Sequence, residues 1–209
     1  MAAPPKIIDA FESIIDIYFS GVRHRERASF ILCDNLIESA CKTRAKEINH
    51  SFNMNCNFHN ACNAEGVNLP EDGLGSRVRG YRQTRNNMQH SDIGTTVDMH
   101  HCATVILDVV KVINHCWQNT SENEFATWMK CALRIIWLYS SDGDVNKREL
   151  FEEKMRQIHW RTNESERVRV HAVQIEPGHR NYWWFAIRRH SPLVEECLNE
   201  IEIFSIDLD

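Results

Sequence analysis

No stretch of the chain approaches the ~18 consecutive apolar residues needed to cross a membrane, which excludes a transmembrane segment. The first residues, from Met1 to Lys6, hold no basic run followed by an apolar block, so no secretory leader is expected. A basic surplus is also missing. With 24 Lys and Arg against 29 Asp and Glu the net charge is −5, which excludes a nonspecific polyanion binder with a large cationic surface. Any nucleic-acid contact must therefore be a local site. There is no internal repeat, and no carboxylate cluster of the kind that holds two magnesium ions.

What is present is typical of a soluble globular protein: 43% apolar and 25% charged residues over 209 positions. That length suits one ordinary domain with an appendage and needs no staples. Of the eight cysteines (Cys33, Cys41, Cys56, Cys62, Cys102, Cys116, Cys131, Cys197), five fall inside apolar helical patterns. They are read as reduced, buried thiols of a cytoplasmic protein rather than a disulfide framework.

Apolar spacing at helical period predicts helices over residues 7–19, 22–49, 76–90, 97–117, 125–139 and about 144–160. Thr95 or Thr96 is the expected N-cap of the fourth, with Asp98 in its first turn. Residues 50–76, rich in Asn and Gly, read as a long loop. Within that loop Cys56, His59 and Cys62 are candidate zinc ligands. A structural zinc takes four ligands, and this spacing is not that of paired knuckles, so reduced loop cysteines are preferred and no metal or cofactor is expected. Alternation over 168–172, a turn at 177–181 and a β-prone aromatic run at 182–187 predict a hairpin. Ser191 as N-cap and Pro192 at the first helical position would then open a last helix. The expected fold is mainly α: a helical bundle over residues 1–140 and a C-terminal extension of helix, hairpin and helix over 141–209, packed on it.

The chemistry concentrates in residues 81–90. On a helix turning about 100° per residue, Arg82, Asn86 and His90 form one stripe, and Arg85 and Gln89 flank it. A permanent cation, amides and the one side chain that titrates near neutrality suit a phosphodiester: arginine holds phosphate, histidine moves a proton, an amide orients one of them. On the preceding long helix, Asp34 and Glu38 stand one turn apart at the edge of the apolar face, where carboxylates need partners. Lys42 and Arg27 would satisfy them locally, and Arg82 or Arg85 would tie them to the motif. His100 and His101 lie within reach in the next helix, in surface or capping roles.

The string Arg85-Asn86-Asn87-Met88-Gln89-His90, following a helix with acidic Asp34 and Glu38 and preceding a long apolar helix, resembles the HEPN family signature. The resemblance spans residues 7–117, extending toward 140. It implies a HEPN-like helical bundle and a metal-independent endoribonuclease without cofactors. Arg85, Asn86 and His90 would be its catalytic residues, supported by Asp34, Glu38, Arg82 and Gln89. RNA would be the substrate, in a toxin, defence or RNA-processing role. The expected partners are a second copy of the chain and an antitoxin or other regulatory protein. The family also includes inactive nucleotide- or RNA-binding and protein-interaction modules, which form the alternative.

Overall fold

The computed structural model describes residues 2–20, 22–90, 96–161 and 180–204. Every element among them is a helix: α1 (Pro5–Phe19), α2 (Arg25–Ile48), α3 (Phe58–Cys62), α4 (Gly73–His90), α5 (Met99–Cys116), α6 (Thr120–Asn123), α7 (Thr127–Leu138), α8 (Val145–Arg161) and α9 (Arg180–Glu200). Helix α1 opens on Pro5, whose missing N–H is harmless in a first turn, and buries one stripe of Ile7, Phe11, Ile14, Ile15 and Tyr18. A backward bond from Arg25 Nη1 to the Ser20 carbonyl (2.7 Å) folds the chain into α2. Helix α5 is apolar almost all round and packs on α2, α4 and α7, which places it at the centre. Its N-cap is Asp98, whose carboxylate accepts from the His101 N–H at 2.7 Å, so Asp98 caps where a threonine was expected. Trp117, Phe11, Phe19, Phe30 and Phe151 are fully buried in the one core, and Phe11 stacks on Phe125 with ring centroids 5.5 Å apart.

The long loop is partly helical. Asn57 accepts from the Asn60 N–H at 2.9 Å and caps the short α3. Helix α4 starts at Gly73, three residues earlier than expected, and its first turn comes so close to the Pro70 carbonyl that a Cβ at position 75 would collide with it, so that position requires glycine. All eight cysteines are free.

The C-terminal hairpin is the main correction. Residues 182–187 lie in α9, Ser191 and Pro192 lie inside that helix rather than at its start, and the predicted strand 168–172 falls outside the described residues. Helix α9 packs on α7, α8 and α1. Its buried residues Ile187, Val194 and Leu198 recur at helical period, so a tertiary surface outweighs the β-propensity of the aromatic run. Polar ties reinforce the seam: Arg134 donates to Asn199 Oδ1 (2.7 Å), and Arg188 pairs with Asp16 (2.9 Å) over the Trp128 ring. No helix among the described residues is long and apolar enough to cross a membrane.

Candidate active site on helices α2 and α4

Helices α2 and α4 run antiparallel. Arg27 Nη2 donates to the Met88 carbonyl (2.6 Å), Asp34 meets Arg85, and Glu38 meets Arg82, so numbering rises along α2 as it falls along α4. Arg82 is the hub. Its Nε lies 3.2 Å from Asp34 Oδ1, its Nη2 donates to Glu38 Oε2, and its guanidinium covers the Phe58 ring at 4.3 Å. Arg85 Nε lies 3.7 Å from Asp34 Oδ2, and Arg85 Nη1 donates to Asn86 Oδ1 at 3.2 Å. Glu38 is also held by Lys42 at 2.7 Å.

Asp34 has no exposed surface, and neither of its oxygens has a directed hydrogen bond. The arginines approach within ion-pair distance, but their Nε–H groups are not aligned on it. Burial therefore dominates and pushes the Asp34 carboxyl up to about 6; Arg82 and Arg85 oppose the rise and Glu38 adds to it. At Glu38 burial also acts upward, but hydrogen bonds from Lys42 and Arg82 outweigh it and leave the group below its ordinary value.

The raised Asp34 value has a stability consequence. In the unfolded chain the group titrates near 3.8 and in the folded chain near 6, so between these values the folded state binds more protons. Stability is lost through Asp34 as pH rises from about 4 to 6, and the loss is complete above that. Asp34→Asn removes this slope. Relative to wild type the variant should gain about 2–3 kcal/mol between pH 4 and pH 7. Urea unfolding of both proteins at the two pH values checks it, and parallel pH profiles would show that Asp34 is not buried as a carboxylate.

The motif residues divide by exposure. Arg85 and Asn86 are half-buried, while Gln89 and His90 are exposed in the last turn of α4. The His90 side chain has no hydrogen bond or ion pair with any described residue. Arg27, matched from sequence to the carboxylates, instead anchors the end of α4, whereas Lys42 does pair with Glu38. The candidate zinc ligands separate. His59 is exposed and bonded to Asn63 (3.0 Å), Cys56 is half-buried, and Cys62 is buried against Cys41. Among the described residues no group of three His, Cys, Asp or Glu is placed to hold a metal ion. The Cys62 thiol is lowered, first by the hydrogen bond from Cys41 and then by Arg79 and Arg82, against the opposing effect of burial.

One network escaped the sequence reading. Asp108, nearly buried in α5, accepts from Arg77 Nε and Nη2 (2.7 and 2.9 Å) and from the Tyr81 hydroxyl (2.6 Å). Burial, with Asp108, raises the Tyr81 phenol well above its ordinary value. Half-buried His101 packs against Phe30 and Tyr81, at ring distances of 5.3 and 5.9 Å, so it joins α5 to α2 and α4. The available signal was an isolated carboxylate inside an otherwise apolar helix, which requires a cation. Arg77, one turn before Tyr81, is that cation. Comparison of the chain with family models, curated proteins and solved structures returns no match, so the HEPN resemblance rests on the motif and on the acidic positions of α2.

Proposed function

We propose that this chain is a metal-independent endoribonuclease of the HEPN type. The observation that carries the proposal is Asp34: a fully buried carboxylate without a directed hydrogen bond, set against Arg82 and Arg85 of the motif helix. Its charge holds Arg85 in place beside Asn86, one turn before His90, whose side chain has no partner among the described residues. In the reaction the RNA 2′-oxygen attacks the adjacent phosphorus, and the bond from phosphorus to the 5′-oxygen breaks. A 2′,3′-cyclic phosphate and a 5′-hydroxyl result. Arg85 neutralises charge on the phosphate, His90 transfers protons, and Asn86 orients Arg85. Side chains alone supply both charge and proton transfer, so chelation should not stop cleavage. Purified protein incubated with total RNA in EDTA tests the proposal, with cyclic phosphate termini as the expected product.

The motif supplies one histidine per chain, whereas the reaction needs both an acid and a base. A homodimer that brings two motifs into one cleft divides those roles. Sedimentation should therefore show a dimer at micromolar concentration, and a fully active monomer would refute the shared cleft. The non-catalytic alternative, an RNA-binding or protein-interaction module, is favoured by the engagement of Arg85 with both Asp34 and Asn86. Growth on expression separates the two, since a free ribonuclease is toxic and a scaffold is not.

A further inference from the structure

We propose that the end of the bundle where α2 begins and α4 ends is a track for single-stranded RNA backbone. Arg23 and His24 would contact phosphates flanking the one held by Arg85. The inference rests on the ribonuclease reading of Arg85 and His90, and it adds to that reading the residues that position the substrate.

Three elements meet at this end. The bond from Arg27 to the Met88 carbonyl (2.6 Å) brings the first turn of α2 against the last turn of α4, which ends at His90. The packing of His101 on Phe30 (5.3 Å) brings the first turn of α5, with half-buried His100, to the same end. Arg23 and His24 immediately precede α2 and are both exposed. The side chains of Arg23, His24 and His90 have neither a hydrogen bond nor an ion pair with any described residue. Two acids among the described residues here are already engaged: Glu26 by Arg25 at 3.2 Å, and Asp98 as the cap of α5. Among the described residues that leaves Arg23 as an exposed, uncompensated cation beside the imidazoles, on a chain whose net charge is −5.

Such a patch attracts a polyanion only where it is concentrated. Its members are a guanidinium and imidazoles at a helix end, suited to phosphate oxygens, with no Phe, Tyr or Trp among them as a stacking platform for bases. Sequence-tolerant backbone contact is the recognition this chemistry provides. A strand lying across it would pass from Arg23 and His24 toward Arg85 and His90, so the patch and the motif would hold neighbouring nucleotides of one chain.

The test uses the full-length protein with His90→Ala as the parent, so that a fluorescently labelled single-stranded RNA survives binding. Adding Arg23→Gln should lower the slope of log affinity against log salt by ~0.7, the loss of one single-strand phosphate contact. Arg23→Glu should weaken binding further, and Lys130→Gln, on exposed α7 surface, should change neither quantity. In the background with intact His90, Arg23→Glu should raise KM and leave kcat within about twofold. The track is overturned if Arg23→Glu and His24→Gln bind RNA with the parent's affinity and salt slope. It is also overturned if Lys130→Gln weakens binding equally, if polyglutamate competes as well as RNA, or if no RNA binds. Failure of the ribonuclease reading looks different: RNA binds in an Arg23-dependent way, but the protein with His90 intact does not cleave it.

Discussion

Replacing His90 by alanine is expected to lower RNA cleavage about 10²–10⁴-fold, the usual contribution of a general acid or base. Thermal unfolding should not change, because His90 is exposed at a helix end and touches no described partner. That combination is diagnostic: a large loss of rate with no loss of fold identifies a group retained for chemistry. Arg85→Ala should lose activity to a similar extent with a modest loss of stability, since Arg85 also offsets the Asp34 charge at 3.7 Å. Arg85→Lys should fail as well, because an ammonium cannot reproduce the two parallel contacts of a guanidinium with phosphate. Asn86→Ala should be milder, as its carbonyl only orients Arg85 through the 3.2 Å hydrogen bond. Single-turnover rates on labelled RNA, with melting curves of each variant, provide the measurement. If the His90 variant cleaves at the wild-type rate, or EDTA abolishes cleavage, residues 81–90 are not the site.

The parts of this arrangement that can be read from sequence are those set by one-dimensional periodicity. Helix α1 buries a stripe that recurs at helical spacing, and the longer apolar faces of α5 and α7 keep the same period, so local pattern and tertiary demand agree. Asp34 stood out for the same reason, as a charge at the margin of an apolar stripe, but sequence left its partners open between Lys42 and Arg27 on its own helix and Arg82 or Arg85 on α4. What sequence did not show depends on distant packing. The aromatic run at 182–187 has β-propensity, but the buried stripe continuing through Val194 and Leu198 makes α9 a helix. The Asp108 network joins residues about 30 positions apart, and no local pattern distinguishes Arg77 from the neighbouring arginines. Likewise nothing local directs Arg27 to a backbone carbonyl 61 residues away rather than to a carboxylate on its own helix. Phe58 beneath Arg82 depends on the path of the loop, which only the packed structure defines.

Arg82→Leu should cost about 2–3 kcal/mol at pH 7, less than the ~3–5 kcal/mol of a buried ion pair broken without relief. It costs less because Asp34, with its carboxyl already at about 6, takes up a proton for only about 1.4 kcal/mol. Asp34 would keep only Arg85, at 3.7 Å and without an aligned N–H, while Glu38 would remain held by Lys42. The loss therefore falls on Asp34, and removing that charge should relieve it. In an Asp34→Asn background the same Arg82→Leu change should cost only about 1 kcal/mol, a strongly non-additive cycle. Acid should substitute for the second mutation. With its carboxyl already at about 6 in wild type, and higher once Arg82 is gone, Asp34 is mostly neutral at pH 5. The penalty of Arg82→Leu should thus shrink between pH 7 and pH 5, as read from urea midpoints of the four proteins. Additive energies with no pH dependence would mean that Arg82 stabilises through Phe58 and Glu38 instead. If the cycle couples as expected, Arg82→Leu should also lower kcat, because a protonated Asp34 no longer holds Arg85 in place beside Asn86.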